Sequence, residues 1–279
     1  MIQIRGLTFS YEQAEEAGKN APVLLDIDLD IEEGEWLAVI GANGSGKSTL
    51  ARQLNGLLLP DSGTVTVDGM STLDGELLPR IRERVAFVFQ NPDNQLVASS
   101  VEEDIAFGPE NLGLPREQIG ERVERALDIT GLQDKRFKPP HLLSGGEKQR
   151  VAIAGALAMA SKYMVLDEPT SMLDPQLRAD VLATLNRLHQ ELGMGVVYIT
   201  NIMEEALLAT RIAVLDAGRL LRVGTPAEIF ADAEWLRRRQ LNMPQIGQIA
   251  ALLAARGYPR LAGVLRQREL VEKIISGDF

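Results

Sequence analysis

Two segments near the start of the chain alternate apolar and polar residues. The first covers residues 1–10, and the second covers residues 25–31. A period of two is typical of a strand that buries one face. Because a Glu-Gly-Glu turn at residues 33–35 leads directly into the next apolar run, we predict an antiparallel strand pair ahead of the main sheet. The polar residues 12–20 between the two strands are predicted to form a surface loop.

Short apolar runs recur further along the chain and predict the strands of an α/β domain. Turn residues or helix-like stretches separate these runs from one another. The predicted strands cover residues 36–40, 64–69, 84–89, 163–168 and 195–200, and residues 211–220 are predicted to form a hairpin.

Helical patterns occupy two further regions. Residues 101–131 have a helical pattern with breaks predicted near residues 108–109 and 113–115, and we expect a helical insertion over about residues 91–160. Helices are also predicted after residue 225, so residues 1–230 form the expected α/β domain and residues 231–279 a C-terminal helical extension. The individual predicted helices cover residues 49–55, 117–130, 151–160, 175–192, 204–209, 226–230, 233–239, 246–256 and 267–276.

The composition of the chain argues against several classes of function. The 279 residues are 45% hydrophobic and carry a net charge of −10, which argues against nucleic acid as a partner. The absence of cysteine excludes disulfides and thiol chemistry, and two histidines do not make a histidine metal cluster. No apolar run approaches the roughly 18 residues of a membrane span, and residues 1–5 lack a signal-peptide core. We therefore expect a cytoplasmic protein whose role at a membrane, if any, depends on a partner.

The segment after the predicted strand 36–40 fits G-x-x-x-x-G-K-[ST], the phosphate loop. Glycine lets the backbone wrap closely around a phosphate chain, and the helix that follows adds the positive end of its dipole. Lys47 is expected to reach the β- and γ-phosphates and Ser48 to hold Mg²⁺. The candidate nucleotide ligands here are Gly41, Asn43, Gly44, Ser45, Gly46, Lys47, Ser48 and Thr49.

Two acids, Asp167 and Glu168, end the predicted strand 163–168. A phosphate-loop protein needs a carboxylate at such a position to order Mg²⁺, and a second acid beside it could position an attacking water. Gln90 follows the predicted strand 84–89 and opens a polar loop. Loops at the carboxyl ends of strands are where α/β sheets bind ligands.

Together these motifs resemble an ATP-binding-cassette (ABC) ATPase, over about residues 1–230. The most specific segment is Leu143-Ser144-Gly145-Gly146-Glu147-Lys148-Gln149-Arg150, upstream of Asp167-Glu168. Residues 89–96, 101–108 and 171–174 further resemble the first of the two paired ATPase subunits of energy-coupling-factor transporters. That resemblance implies an ATPase that powers uptake of a vitamin or a transition-metal ion through a separate membrane component, on the cytoplasmic face of a prokaryotic cell membrane.

The resemblance also implies roles for individual residues, with ATP and Mg²⁺ as cofactors. Tyr11 would stack on adenine, Gln90 would touch Mg²⁺ and the attacking water, Asp167 would bind Mg²⁺ through water, and Glu168 would polarise the attacking water. The signature residues Ser144, Gly145 and Gly146 would meet the ATP of a second ATPase subunit, with Asp174 aligning that interface. A heterodimer is expected, a homodimer is the alternative, and the further partners are a membrane coupling subunit and a substrate-binding membrane subunit.

One position departs from the family pattern, because Asn201 stands where a histidine is expected. Asparagine can donate a hydrogen bond to the γ-phosphate but cannot hold a proton. Asn201 therefore either weakens hydrolysis, leaving an ATP-gated dimerisation subunit, or substitutes adequately because Glu168 is present. A soluble cassette acting on DNA or ribosomes is a third alternative, against which stands the lack of a basic stripe or a tandem cassette. His141 and His189 are expected to be structural or solvated.

Overall fold

The computed structural model describes residues 1–11 and 22–277, so the loop predicted over residues 12–20 lies outside the described residues. Within that part of the chain a four-stranded sheet has the order β2-β1-β4-β5. β1 pairs antiparallel with both β2 and β4, which confirms the predicted strand pair. The strands are β1 (Ile2–Phe9), β2 (Leu24–Ile31), β4 (Ser62–Val67) and β5 (Met70–Ser71).

A six-stranded sheet of order β10-β9-β3-β8-β7-β6 forms the centre of the α/β domain. Its strands from β9 to β6 are parallel, and β10 joins the edge as the antiparallel arm of a hairpin. The strands are β3 (Trp36–Ile40), β6 (Val85–Val88), β7 (Tyr163–Asp167), β8 (Gly195–Ile199), β9 (Arg211–Asp216) and β10 (Arg219–Gly224).

Alternate residues of the large sheet belong to two different cores. Leu37 and Val39 of β3 pack with the small sheet and the helix after the phosphate loop. Trp36, Ala38 and Ile40 pack on the opposite face with the helices that precede and follow β7. Because both faces are covered, these strands are apolar at every position, which explains why they appear in the sequence as continuous apolar runs.

Helices pack against both faces of the large sheet, and three of them form a separate layer. α3, α4 and α5 pack on one another around a core that includes Ile105, Leu127 and Val151. The helices are α1 (Lys47–Gln53), α2 (Leu78–Arg84), α3 (Val101–Asn111), α4 (Arg116–Thr130), α5 (Gly145–Ala158), α6 (Pro175–Leu192), α7 (Met203–Ala206), α8 (Pro226–Phe230), α9 (Ala233–Arg237), α10 (Gln245–Ala255) and α11 (Gln267–Ser276).

Two local predictions were wrong, and one helix was missed. The break expected at Gly108 and Pro109 is absent, since α3 continues to Asn111; Gly108 lies so close to Met159 of the neighbouring α5 segment that an added Cβ would be 2.4 Å from its sulfur, so packing overrides propensity. The helix expected to begin at residue 151 begins at Gly145 instead. Helix α2 was not predicted, because it has only seven residues, of which Ile81 alone is buried, and so short a helix gives little periodicity.

The C-terminal extension is attached to the α/β domain by packing and by charge. Leu236, Leu241 and Leu265 belong to the main core, while α10 and α11 share a small core of their own. The guanidinium groups of Arg222 and Arg239 lie 3.9 and 4.1 Å from the ring centre of Trp235. No helix of the described chain is both long enough and apolar enough to cross a bilayer.

Candidate active site

Four neighbouring strands bring the predicted site residues to one edge of the large sheet. β3, β8, β7 and β6 lie side by side and parallel, so their carboxyl ends meet at that edge. The residues just beyond those ends are Gly41, Asn201, Glu168 and Gln90. Polar groups that lie far apart in the chain are therefore collected in one row, at the place where α/β sheets bind ligands.

The phosphate loop joins β3 to α1 and closes around the ammonium group of Lys47. That Nζ donates to the carbonyl oxygens of Gly41 and Ala42, at 2.9 and 3.1 Å. Burial lowers the pKa of Lys47, and the carboxylates of Glu168 and Asp167 oppose that change. The cation thus lies inside a loop of backbone groups at the N-terminus of a helix, which is an arrangement suited to phosphate.

Two glycines of the loop have no room for a side chain. An added Cβ at Gly41 would lie 2.2 Å from the carbonyl oxygen of Leu215 and 2.5 Å from Ser45 Oγ. Gly46 has a φ of 104° and is the N-cap of α1, and a Cβ there would lie 2.9 Å from the carbonyl oxygen of Val23. The close approach of backbone that a phosphate chain requires is therefore built into both ends of the loop.

Ser48 and Asp167, two of the predicted Mg²⁺ ligands, are in contact. Ser48 Oγ donates to Asp167 Oδ1 at 2.8 Å, and Asp167 is only 1% exposed. Burial raises the pKa of Asp167, while the Ser48 hydrogen bond, Arg52 and Lys47 lower it. A hydroxyl and a carboxylate are the hard oxygen donors that Mg²⁺ prefers. The third predicted ligand, Gln90, points its amide nitrogen at Glu168 instead.

Both carboxylate oxygens of Glu168 accept a hydrogen bond from an amide. Asn201 Nδ2 donates to Oε1 at 2.5 Å, and Gln90 Nε2 donates to Oε2 at 3.0 Å. Burial raises the pKa of Glu168, opposed by the nearby Lys47. Glu168 also has a φ of 45°, a backbone conformation that residues other than glycine rarely adopt and that occurs preferentially at functional sites. A carboxylate with a raised pKa, held in a fixed orientation, is suited to accept a proton.

Asn201 connects that carboxylate to the phosphate loop. Its Nδ2 also donates to Oδ1 of the exposed Asn43, at 3.0 Å. The amide that replaces the expected histidine therefore lies within hydrogen-bond reach of both the loop and Glu168.

Tyr11 lies beside the first turn of α1. Its hydroxyl is 3.1 Å from Thr49 Oγ1, and its ring packs edge-on against Phe9 with a centroid distance of 5.0 Å. The side chain is 40% exposed. A partly exposed aromatic ring next to the phosphate loop is suited to stack on a base.

Comparison with known proteins identifies the family. A family model for the ABC transporter matches residues 24–171. The Energy-coupling factor transporter ATP-binding protein EcfA1 of Symbiobacterium thermophilum is 54% identical over 276 residues, which cover 98% of this chain and 96% of that protein. This chain belongs to the ABC transporter family.

Within the family, this ABC ATPase is of the energy-coupling-factor type. The EcfA1 protein of Caldanaerobacter subterraneus subsp. tengcongensis is 48% identical over 274 residues, which cover 98% of each chain. The solved structure of cbiO1 from Clostridium perfringens, part of the ABC transporter complex cbiONQ, has a TM-score of 0.74 and 36% identity, covering 90% of this chain and 98% of that one. A dimeric ATP-binding cassette bound to ADP and Pi has a TM-score of 0.73 and 30% identity, covering 81% of this chain and 99% of that one. The predicted family, the predicted fold and the prediction of an ATPase are confirmed.

The signature segment of this ABC ATPase lies at the N-terminus of α5. Ser144 Oγ accepts from the backbone N–H of Glu147, and the Glu147 carboxylate accepts from the backbone N–H of Ser144, which together form a capping box. Ser144 and Gly145 are exposed, whereas Gly146 is buried so closely that an added Cβ would lie 2.6 Å from Leu177 Cδ1. In the described part of the chain, no hydrogen bond or ion pair joins this segment to the phosphate loop.

A buried acid close to the Glu168 loop was not predicted from the sequence. Glu205 of α7 is 2% exposed and accepts hydrogen bonds from Thr170, Tyr198 and Thr200. Nothing in the sequence distinguishes it from the neighbouring Glu204, which is exposed, because α7 has only four residues and therefore no readable periodicity. The two histidines lie outside the contacts of Glu168: His141 is exposed, and His189 packs edge-on against Trp36.

Proposed function

We propose that this chain is the ATP-hydrolysing subunit of an energy-coupling-factor importer and powers uptake of a vitamin or a transition-metal ion through a separate membrane component. The observation that carries the proposal is the orientation of Glu168, which the amides of Gln90 and Asn201 hold beside the phosphate loop. The relatives named EcfA1 support the transport role over a soluble cassette acting on DNA or ribosomes. A subunit that barely hydrolyses ATP is disfavoured, because position 201 still supplies a donor to Glu168.

Each group of the site has a proposed task. Tyr11 stacks on adenine, while Lys47 and the backbone N–H groups of the loop hold the phosphates. Ser48 and Asp167 would hold Mg²⁺ with Gln90 nearby, and the ion would offset phosphate charge when bound. Glu168 accepts a proton from the water that attacks the γ-phosphorus, and the bond from that phosphorus to the bridging oxygen of ADP breaks.

A second ATPase subunit completes the site. The exposed N-terminus of α5 at Ser144 and Gly145 offers backbone N–H groups and a helix dipole to the γ-phosphate held by the partner's phosphate loop. Asp174 caps α6 by accepting from the backbone N–H groups of Gln176 and Leu177, and so holds the neighbouring loop at the proposed interface. We propose a heterodimer, with a homodimer as the alternative.

The remaining proposed contacts concern the membrane. A membrane coupling subunit would meet the loop after Gln90, near the exposed side chains of Val97 and Phe107, and a separate membrane subunit would bind the transported substrate. The chain would therefore work at the cytoplasmic face of a prokaryotic cell membrane. We further propose that residues 1–230 are the ATPase domain, with its helical layer in about residues 91–160, and that residues 231–279 are an extension attached through Trp235.

Mixing two inactive variants of this chain tests the shared site where the chain pairs with itself, as in the homodimer alternative. Lys47→Ala removes the phosphate-loop cation, and Ser144→Arg blocks the signature segment, so each variant alone is expected to lose ATP hydrolysis. A mixed dimer contains one intact site, built from the loop of the Ser144→Arg subunit and the signature of the Lys47→Ala subunit. We expect phosphate release to return on mixing, and each variant mixed with itself is the control. If wild type is active and the mixture is not, the shared site is wrong.

A further inference from the structure

The buried carboxylate of Glu205 accepts three hydroxyl hydrogen bonds. Thr170 Oγ1 lies 2.6 Å from it, Thr200 Oγ1 2.5 Å and the Tyr198 hydroxyl 3.2 Å. One cation is close, since Arg178 Nε is 3.6 Å away. An ionised carboxylate only accepts hydrogen bonds, whereas a hydroxyl can donate or accept. All three hydroxyl groups therefore donate to the Glu205 carboxylate, which fixes the direction of each O–H bond.

Two of these hydroxyl groups, those of Thr170 and Thr200, belong to the two loops whose side chains meet at the active site. Thr170 lies two residues after Glu168, and Thr200 directly precedes Asn201. Thr200 Oγ1 also accepts from the backbone N–H of Ile202 at 2.9 Å, so the turn that carries Asn201 is held from behind. One carboxylate thus joins, on the buried side, the same two loops that the 2.5 Å contact between Asn201 and Glu168 joins on the nucleotide side.

A third connection runs to the loop before α6. Arg178 Nη2 donates to the carbonyl oxygen of Leu173 at 3.2 Å, and Arg178 is the cation that faces Glu205. Residues 171–174 form the loop proposed above to align the partner subunit. The cluster around Glu205 therefore contacts three segments: the one that carries the proposed base, the one in which Asn201 replaces the expected histidine, and the one proposed to lie at the subunit interface.

We propose that Glu205 is a positioning residue for ATP hydrolysis, which sets the distance between Glu168 and Asn201 through Thr170 and Thr200. The proposal rests on the proposed function of Glu168. A purely structural role would not require a carboxylate here, because a buried charge loses hydration and a well-packed apolar side chain is often at least as stable. The acceptor-only chemistry of the carboxylate is what fixes both hydroxyl groups at once.

The test is Glu205→Gln, which keeps the size of the side chain but adds a donor where the site offers protons. Glu204→Gln is the matched control, because Glu204 is the neighbouring acid on the same helix and is exposed. We expect Glu205→Gln to lower kcat for ATP about tenfold or more, while KM and the Kd for ATP change less than about threefold. The control should keep kcat. A kcat within twofold of wild type, or a fall in kcat matched by an equal loss of ATP affinity, overturns the proposal.

A second variant shows whether the hydroxyl groups carry the effect. Thr200→Val removes one donor to Glu205 and the acceptor for Ile202. Thr200→Val and Glu205→Gln break the same contact between the two side chains. We therefore expect the variant that carries both substitutions to lose little more kcat than the worse single variant. Multiplying losses would mean that the two residues act separately, which contradicts the proposal.

Amide hydrogen exchange supplies a readout that does not need turnover. In Glu205→Gln, residues 168–173 and 200–203 are expected to exchange faster, with the helical layer of α3, α4 and α5 unchanged. Unchanged exchange in those two loops, or faster exchange throughout the chain, contradicts positioning. Absence of ATP turnover by wild type, both alone and with a second ATPase subunit, would instead contradict the proposed function, so the two failures are distinguishable.

Discussion

Replacing Asn201 by alanine removes two hydrogen bonds that its amide donates. One goes to the carboxylate of Glu168 at 2.5 Å, and the other goes to Asn43 of the phosphate loop at 3.0 Å. The first orients the proposed base, and the second ties that base to the loop. Asn201→Ala should therefore act on the chemical step more than on the binding of ATP.

The size of the effect follows from the kind of each bond. A hydrogen bond to a charged group contributes about 1.5–3 kcal/mol, and each 1.36 kcal/mol of barrier is tenfold in rate, so kcat should fall about 10- to 150-fold. The bond to Asn43 is neutral and contributes about 0.5–1.5 kcal/mol. Lys47 and the loop backbone are untouched, so the Kd for ATP should rise no more than about tenfold.

The assay is steady-state phosphate release together with equilibrium ATP binding. Asn43→Ala is the comparison variant, because it loses the same neutral bond but leaves the contact between Asn201 and Glu168 in place, and its kcat should fall less than that of Asn201→Ala, by no more than about tenfold. Asn201→His should add a titration step to kcat near pH 6.5, the ordinary histidine pKa, which wild type lacks. If Asn201→Ala hydrolyses ATP as fast as wild type, the amide does not position Glu168 and the reasoning is refuted.

Three further predictions concern stability and nucleotide binding. Burial raises the pKa of Glu168, so its charged form destabilises the fold as pH rises from about 4.3 through the folded pKa. Glu168→Gln should therefore be more stable than wild type in urea at neutral pH and lose that advantage in acid. An equal advantage at all pH values would contradict this prediction. Trp235→Ala removes the ring between Arg222 and Arg239 and should lower the free energy of unfolding by about 2–3 kcal/mol, whereas Trp235→Phe should restore at least half. Gly41→Ala places a Cβ 2.2 Å from a backbone oxygen and should abolish ATP binding and cost about 1–3 kcal/mol of stability. Gly75→Ala, whose added Cβ meets no atom within 4 Å, should do neither. Binding is measured by calorimetry and stability by urea unfolding, and equal effects of the two substitutions would contradict close packing of the loop.

Local signals in the sequence predicted a helix correctly where residues typical of helix caps stand at both of its ends. The prediction for α6 matches its observed bounds, because Asp174 caps its start, Pro175 follows as the first helical residue and Gly193 ends it with a φ of 61°. The prediction failed at Gly108, where contact with Met159 keeps α3 continuous. That contact is tertiary and has no trace in the local pattern.

The same distinction holds for the candidate site. The phosphate loop and the pair Asp167-Glu168 are readable, because each is a continuous motif whose chemistry follows from its residue types. The contact of Glu168 with both Gln90 and Asn201 depends on the strand order β3-β8-β7-β6, which adjacency in sequence does not provide. Glu205 was missed for a related reason, since its burial arises from how α7 docks.

The central claim is that this chain hydrolyses ATP with Glu168 as the proton acceptor. The most direct test compares phosphate release by wild type and by Glu168→Gln at saturating ATP, with ATP binding measured beside it. We expect Glu168→Gln to bind ATP with the affinity of wild type and to lose at least about 100-fold in kcat, as removal of a general base does. A variant that keeps more than about a tenth of the wild-type rate would contradict the claim.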